Sequence, residues 1–239
     1  MSADISANAI HIADHMTLAG KAGAKIVHFP ETALSGYIGA HFNSLDGMDW
    51  GGLDAALQSI CDLAKALGIW TVVGSTRQHP DRAPGNCIHV ISDKGGIVGT
   101  YDKQRLYNDE QNHYSAGRTP LVIEIEGVKC GFLICYDSWY PELYAAYREA
   151  GVSLLFHSYY IAKSRGDASS LDDLALAQLI TRGADNRMWT SASNSSEPYS
   201  RLASCIAAPD GSVVSTGRHE PGIVIANYSM EGLGWTFSG

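Results

Sequence analysis

Several features that mark other classes of protein are missing from this chain of 239 residues. It has no run of Lys and Arg, and its formal net charge of −8 argues against a nucleic-acid-binding surface. No apolar stretch approaches the roughly 20 residues that a membrane-spanning helix needs. The first residues carry acids and histidines where a signal peptide has a basic and then an apolar segment. We therefore expect a cytoplasmic protein without nucleic-acid or membrane partners.

Cysteine is scarce, with five residues and no Cys-x-x-Cys pair. Such scattered spacing argues against a zinc site and against a disulfide framework. Cys130 and Cys135 lie five residues apart along one predicted strand, so their side chains point to opposite faces. They are poorly placed to share a metal, and we expect Cys130 to be an inert core thiol.

Helix and strand patterns alternate along the chain, which predicts one α/β domain spanning residues 1–239. Apolar periodicity predicts helices at 4–20, 53–68, 140–151 and 169–187. Strands are predicted at 25–29, 69–77, 152–158, 189–195 and 222–228, with further strand pairs turning at 93–96, 126–127 and 209–211. There is no internal repeat, low-complexity segment or linker.

Three reactive residue types follow predicted strands. Glu31 follows "KIVHFP", Lys103 ends "GIVGTYD" and Cys135 ends "CGFLI". In open α/β sheets ligands bind along the rim where strands end, because side chains and backbone N–H groups converge there. Each residue alone has an ordinary alternative: a core thiol, a surface lysine and a loop acid. Together they predict one site.

The chemistry of this trio is coherent. A nearby ammonium and a helix N-terminus both lower a thiol pKa, and Cys135 would have Lys103 in space and the helix beginning near Pro141 in sequence. Glu31 would take the thiol proton and return it to a leaving amine. The Lys103 ammonium and the Tyr136 backbone N–H would stabilise an oxyanion.

Three longer segments carry a family resemblance. They are "HFPETALSGY" (28–37), "YDKQRLYNDEQNHYSAG" (101–117) and "GFLICYDSWYPEL" (131–143). In order and separation they resemble the signature segments of the carbon–nitrogen hydrolase family, the nitrilase superfamily. Weaker similarity continues through 182–195, 204–216 and 221–228, so the resemblance covers nearly the whole chain.

The resemblance assigns roles to individual residues. It implies a Glu-Lys-Cys triad in which Glu31 is the base, Lys103 the lysine and Cys135 the nucleophile. The family's second glutamate, which helps to position substrate, corresponds to Glu110, for which a solvated loop acid is the alternative.

The resemblance also implies a fold and an assembly. The family fold is an αββα sandwich of four layers that forms a homodimer or a higher homo-oligomer, and it uses no metal or organic cofactor. Family members usually begin with a strand before the first helix. This chain starts almost at the helix, so we expect that first strand to be lacking and the sheet edge it would cover to be exposed.

The implied reaction is hydrolysis of a non-peptide C–N bond through a thioester on cysteine, with release of ammonia or an amine. "CYD" resembles the amidase and carbamoylase branches more than the nitrilases, which predicts a small linear amide or ureido (N-carbamoyl amine) substrate. Trp139 would contact an apolar or amine-bearing substrate tail, or would pack against the turn after Cys135. His157, at the end of another strand, would line the pocket or be a satisfied polar residue.

Other functions stay open at this point. A nitrilase would use the same trio on a nitrile. Other cysteine hydrolases need local signatures that are absent here: a papain-type motif, or glycines at the positions of Leu133 and Asp137 for a glutamine-amidotransferase turn. A catalytically silent interaction protein on the same fold would have no need of Glu31, Lys103 and Cys135 together.

Overall fold

The structure, a computed structural model, describes residues 1–162 and 170–233. The chain forms two units, Met1–Leu121 and Val122–Gly239. Each unit combines one sheet with helices, which fits the α/β class predicted from the sequence. The organisation of 1–239 as a single domain stays a prediction. Within the described ranges, no helix has both the length and the apolar character needed to cross a membrane.

The first unit contains one four-stranded sheet and two helices. Its elements are, in chain order, α1 (Ile5–Lys21), β1 (Ile26–His28), α2 (Trp50–Leu67), β2 (Trp70–Arg77), β3 (Gly85–Ile91) and β4 (Ile97–Asp102). The strands lie in the order β1-β2-β3-β4, with β1 parallel to β2 and the other neighbours antiparallel. In the described chain helix α1 comes before β1, and residues 1–25 contain no strand.

Both helices of the first unit begin after an aspartate. Asp4 accepts a hydrogen bond from Ala7 N at 3.0 Å, and Asp49 accepts one from Gly52 N at 2.9 Å. These carboxylates satisfy N–H groups that the first turn leaves without a partner. Helix α2 therefore begins at Trp50, earlier than its apolar periodicity predicts. It ends where predicted, because Gly68 adopts the left-handed conformation with φ 62°. The two helices bury an apolar cluster shared with β1 and β2, including Met16, Ile60, Val27 and Val73.

In its described residues, 122–162 and 170–233, the second unit contains one six-stranded sheet and two helices. Its elements are β5 (Val122–Ile125), β6 (Val128–Ile134), α3 (Pro141–Glu149), β7 (Leu154–Ser158), α4 (Ser170–Asp185), β8 (Trp189–Ser193), β9 (Cys205–Ala207) and β10 (Val213–Ser215). The strands lie in the order β10-β9-β8-β7-β6-β5. The central strands β6, β7 and β8 are parallel, and α3 and α4 connect them as crossover helices.

The hairpin between β5 and β6 turns where predicted. Glu126 and Gly127 both have positive φ, 51° and 78°, the combination that a two-residue hairpin turn requires. The hairpin leads into β6, whose residues from Cys130 to Ile134 are all buried. Cys130 itself is fully buried, and burial raises the pKa of its thiol to about 12. Its prediction as an inert core thiol is confirmed.

The strand predicted at 222–228 is wrong. These residues form no ladder with any strand in the described chain. Ile223 and Ile225 are 41% and 46% exposed, whereas the Tyr228 hydroxyl donates to Ser153 Oγ at 2.7 Å. An apolar pattern becomes a strand only where a neighbouring strand pairs with its backbone, and sequence periodicity does not report that neighbour.

Candidate active site

Glu31 lies just after β1 and is fully buried. Its Oε1 accepts two hydrogen bonds, from Lys103 Nζ at 2.7 Å and from Asn86 Nδ2 at 2.7 Å. Its Oε2 is also buried and has no hydrogen-bond partner among the described residues. One carboxylate oxygen is thus fixed, and the other remains available to accept a proton.

A close backbone approach holds Glu31 against β2. A Cβ atom on Gly74 would overlap the carbonyl oxygen of Pro30 and would lie 2.6 Å from Thr32 N, so only glycine fits there. The following residue, Thr32, has φ 50°, an unusual conformation for a β-branched side chain. Leu34 N then donates to Gly74 O at 3.0 Å. Glu31 is therefore presented by a tight turn and not by a mobile loop.

Lys103 follows β4 and is also fully buried. Its Nζ lies 2.9 Å from Glu110 Oε2 in addition to its contact with Glu31. Its main chain is held on both sides, because Lys103 N donates to Asn86 O at 2.8 Å and Gly117 N donates to Lys103 O at 2.8 Å. The ammonium is therefore fixed between two carboxylates.

Glu110 lies on a single 3₁₀ turn, Asn108–Asn112, and is 3% exposed. Its Oε1 accepts from the Tyr37 hydroxyl at 2.8 Å, and its Oε2 accepts from Tyr107 N at 2.7 Å. The alternative of a solvated loop acid is therefore wrong. We call Glu31, Lys103 and Glu110 the acid–lysine cluster.

The charges of the acid–lysine cluster do not balance when all three groups are ionised. Two carboxylates and one ammonium sum to −1 in a place with no access to water. Burial raises the pKa of Glu31 to about 7; the negative Glu110 acts in the same direction, while Lys103 and the Asn86 hydrogen bond oppose them. Glu31 therefore keeps its proton to a higher pH than an exposed glutamate does.

Cys135 lies immediately after β6 on a second short 3₁₀ turn, Cys135–Trp139. Its φ is 42°, a left-handed conformation that non-glycine residues rarely adopt and that clusters at functional sites. Asp137 Oδ2 accepts from Ile134 N at 2.9 Å and ties the turn to the end of the strand. Helix α3 then begins at Pro141. We call residues 134–141 the elbow.

Exposure separates Cys135 from the other cysteines. It is half-buried, whereas Cys61, Cys87, Cys130 and Cys205 are all buried. Burial raises the thiol pKa of each of those four, which keeps them protonated at neutral pH. The candidate nucleophile is thus the accessible thiol of the chain.

Aromatic side chains border Cys135 on the elbow. The Tyr136 ring lies 6.2 Å from the Trp139 ring and meets the Tyr140 ring edge-on at 5.7 Å. Trp139 is 47% exposed and also packs on the turn through Tyr136, so both predicted roles stay open. Its exposed face is open to contact a second molecule.

His157 matches the second of the two readings from the sequence, a satisfied polar residue, and does not line a pocket. It is fully buried on β7, and its Nε2 lies 3.2 Å from the carbonyl oxygen of Cys135. A side chain with no exposed surface has no face to offer a substrate. The structure places His157 beneath the main chain of the elbow.

Sequence reasoning missed Asn86 and Tyr37, which orient Glu31 and Glu110 respectively. Asn is depleted in strands, so its position at the start of β3 was a usable signal. Tyr37 closes the first of the three segments that carry the family resemblance. In the described ranges, His, Cys, Asp and Glu side chains form no group of three able to hold a metal ion.

Comparisons with known proteins identify the family. Residues 1–235 match the family model described as carbon–nitrogen hydrolase. A 2-oxoglutaramate amidase of Bacillus subtilis (strain 168) is 29% identical over 214 residues, covering 87% of this chain and 79% of its own. An (R)-stereoselective amidase of a Pseudomonas species is 25% identical over 161 residues, covering 67% of this chain and 55% of its own.

A solved structure shares the fold. It is an amidase of Nesterenkonia AN1 from the nitrilase superfamily, 23% identical, with a TM-score of 0.81 over 92% of this chain and 84% of that chain. This likeness confirms the nitrilase-like α/β fold predicted from the sequence. With the family match over residues 1–235 and the amidase relatives, it establishes that the chain belongs to the carbon–nitrogen hydrolase family, among the family's amidase-type hydrolases.

Proposed function

We propose that this protein hydrolyses the C–N bond of a small linear amide or N-carbamoyl amine through a thioester on Cys135. The observation that carries the proposal is the state of Glu31: one oxygen is fixed by Lys103 and Asn86, the other has no hydrogen-bond partner in the described chain, and the pKa is raised to about 7. A carboxylate used only for structure would have both oxygens satisfied.

Acylation is the first half of the reaction. Glu31 takes the proton of the Cys135 thiol, and the sulfur attacks the carbonyl carbon of the substrate. The Lys103 ammonium and the Tyr136 backbone N–H stabilise the negative oxygen that forms. When the C–N bond breaks, the protonated Glu31 returns its proton to the nitrogen, which leaves as ammonia or an amine.

Deacylation repeats the same proton movements with water. Glu31 takes a proton from water, the resulting hydroxide attacks the thioester carbon, and the C–S bond breaks with the sulfur regaining a proton. Glu110 keeps Lys103 oriented throughout, because it accepts from Nζ while Tyr37 and Tyr107 fix its own two oxygens. Trp139 contacts the substrate beyond the reacting carbon.

The relatives support an amide in preference to a nitrile. Those named as amidases include the 2-oxoglutaramate amidase and the (R)-stereoselective amidase, and a formamidase of Helicobacter acinonychis also matches. In one structure of the Nesterenkonia amidase, acrylamide has added to the active-site cysteine, which supports thiol chemistry at Cys135. A second candidate, nitrile hydrolysis, has support from a relative named as a probable nitrilase in Schizosaccharomyces pombe.

An ammonia-release screen tests the proposal. Aliphatic amides, ω-amido acids, N-carbamoyl amines and nitriles are offered to the wild-type protein, to Cys135→Ala and to Glu31→Gln. We expect ammonia from members of one amide or carbamoyl class with the wild-type protein only, and an acyl adduct on Cys135 by intact mass. Cys205→Ala is the matched control, because its thiol is buried, and it should keep activity.

Three results would contradict the proposal. Turnover of nitriles alone would favour the second candidate. Undiminished turnover by Cys135→Ala would remove the thioester. No turnover, combined with slow alkylation of Cys135, would favour a catalytically silent interaction protein. From the family resemblance we also propose a homodimer or higher homo-oligomer, for which light scattering measures the mass.

A further inference from the structure

The surroundings of His157 suggest a task that substrate contact does not explain. His157 lies on β7, in register with Leu133 on the parallel neighbour β6, two residues before Cys135. Its side chain is fully buried. The pairing of β7 with β6 therefore places the His157 imidazole against the main chain of Cys135.

The partners of the two ring nitrogens define the tautomer. Nε2 faces the carbonyl oxygen of Cys135 at 3.2 Å, and because a carbonyl oxygen only accepts, Nε2 carries the hydrogen. In the neutral ring Nδ1 has one in-plane lone pair, and the Tyr144 hydroxyl at 2.9 Å is placed to donate to it. The Tyr159 hydroxyl lies 3.1 Å from Nδ1, on a ring that stacks on the imidazole. Burial raises the pKa of both hydroxyls well above the usual tyrosine value, so both remain protonated and able to donate.

The imidazole is also fixed in its plane. The Tyr159 ring stacks on it with centroids 4.1 Å apart and planes 17° from parallel. Both ring nitrogens and one ring face are thus occupied in the neutral form. A ring held in this way suits a fixed hydrogen-bond donor.

The main chain that receives this hydrogen bond is the strained one. Cys135 has φ 42°, which a non-glycine residue keeps only when its surroundings impose it. Asp137 holds the N–H of Ile134 on one side, and His157 holds the carbonyl of Cys135 on the other. The two contacts bracket the strained residue.

We propose that His157 is a positioning residue that keeps the main chain of Cys135 left-handed through an Nε2–H donor and so aims the thiol. This rests on the proposed function, in which Cys135 is the nucleophile. The Tyr144 hydroxyl occupies Nδ1 on the far side of the ring, and the Tyr159 ring stacks on its face. His157 transfers no proton in the reaction.

Replacing His157 separates hydrogen bonding from packing. His157→Phe keeps a buried ring that can stack on Tyr159 but loses the donor. His157→Gln keeps an N–H that reaches the Cys135 carbonyl. Tyr144→Phe removes one donor to Nδ1 and leaves Nε2–H in place. The matched control is His89→Phe, which removes another buried histidine. His89 lies on β3 of the first unit and is hydrogen-bonded to Thr100 on β4.

Three quantities are measured for each variant. They are the second-order rate constant of iodoacetamide addition to Cys135, located by peptide mass, and kcat and KM on the amide found in the screen. We expect His157→Phe to lower the alkylation rate and kcat by roughly 10- to 100-fold, since displacing a reacting group by about 1 Å can cost about 100-fold. KM should stay near its wild-type value. His157→Gln should recover most of the loss, Tyr144→Phe should show a smaller one, and His89→Phe should show none.

Wild-type alkylation and kcat in His157→Phe would overturn the proposal. Equal losses in the Phe and Gln variants would also overturn it, because a purely structural role gains nothing from a replacement donor. If His157→Phe does not fold, His157→Gln and Tyr144→Phe decide the matter, and a larger loss in Gln than in Tyr144→Phe refutes the donor role. Alkylation needs no turnover, so His157 is tested even if the wild-type protein hydrolyses no amide and the proposed function fails.

Discussion

The raised pKa of Glu31 makes a prediction about stability as well as catalysis. An unfolded glutamate loses its proton near pH 4.5, whereas the buried Glu31 keeps its proton up to about pH 7. Between these values the folded state binds more protons than the unfolded state, so the free energy of unfolding falls as the pH rises. Glu31→Gln removes this titration while keeping the shape of the side chain.

The size of the effect follows from the two pKa values. They differ by about 2.5, and at about 1.4 kcal/mol for each pH unit this amounts to about 3 kcal/mol. The stability of Glu31→Gln relative to wild type should therefore rise by about 3 kcal/mol between pH 4.5 and pH 7. Any fixed cost of placing an amide beside Lys103 and Asn86 is the same at every pH and cancels from this change.

Urea unfolding of both proteins at several pH values between 4.5 and 7 measures the difference directly. Glu124→Gln is the control, because Glu124 is exposed on β5 and should leave the pH dependence as in wild type. A difference between Glu31→Gln and wild type that does not change with pH would refute the raised pKa. A difference that falls with rising pH would mean that Lys103 stabilises the carboxylate by more than burial costs.

Three further predictions concern the groups around Glu31. Lys103→Ala should lower kcat by about 10²- to 10³-fold through loss of one oxyanion donor. Lys103→Arg should not restore kcat, because the planar guanidinium of arginine fits a different geometry from the compact ammonium of lysine. A rise in KM alone would contradict this role. Asn86→Leu removes a hydrogen bond that lowers the pKa of Glu31, so the acidic limb of the pH profile of kcat/KM should move to higher pH, and an unmoved limb would exclude Glu31 as its source. Gly74→Ala should destabilise the fold by about 1–3 kcal/mol in thermal or urea unfolding, since its Cβ overlaps backbone. Gly20→Ala, where the added Cβ meets Leu67 at an ordinary 3.8 Å, should not, and equal stability of the two variants would contradict the close approach.

The comparison of sequence and structure is informative at the strand ends. Glu31 and Lys103 were identified from short segments, because a strand that stops and a polar residue that follows it are both local features. Cys135 stood out for the same reason, at the junction of a buried strand and a helix that begins at Pro141. The helix ends were equally readable, since Asp4 and Gly68 act on backbone groups within one turn.

Only the tertiary structure decided the burial, the charge partners and the pKa values of those residues. Glu31, Lys103 and Glu110 are separated by up to 79 positions in the chain, and only their common burial raises the pKa of one carboxyl while a single ammonium is shared. His157 illustrates the same limit: its strand was predicted, but its direction beneath Cys135 depends on the pairing of β7 with β6. The sequence by itself determined which side chains stand at the ends of strands. Desolvation and hydrogen bonding depend on neighbours far away in the sequence. Only the folded chain therefore determined which of these side chains has a raised pKa, which is a fixed charge and which lies against the main chain of Cys135.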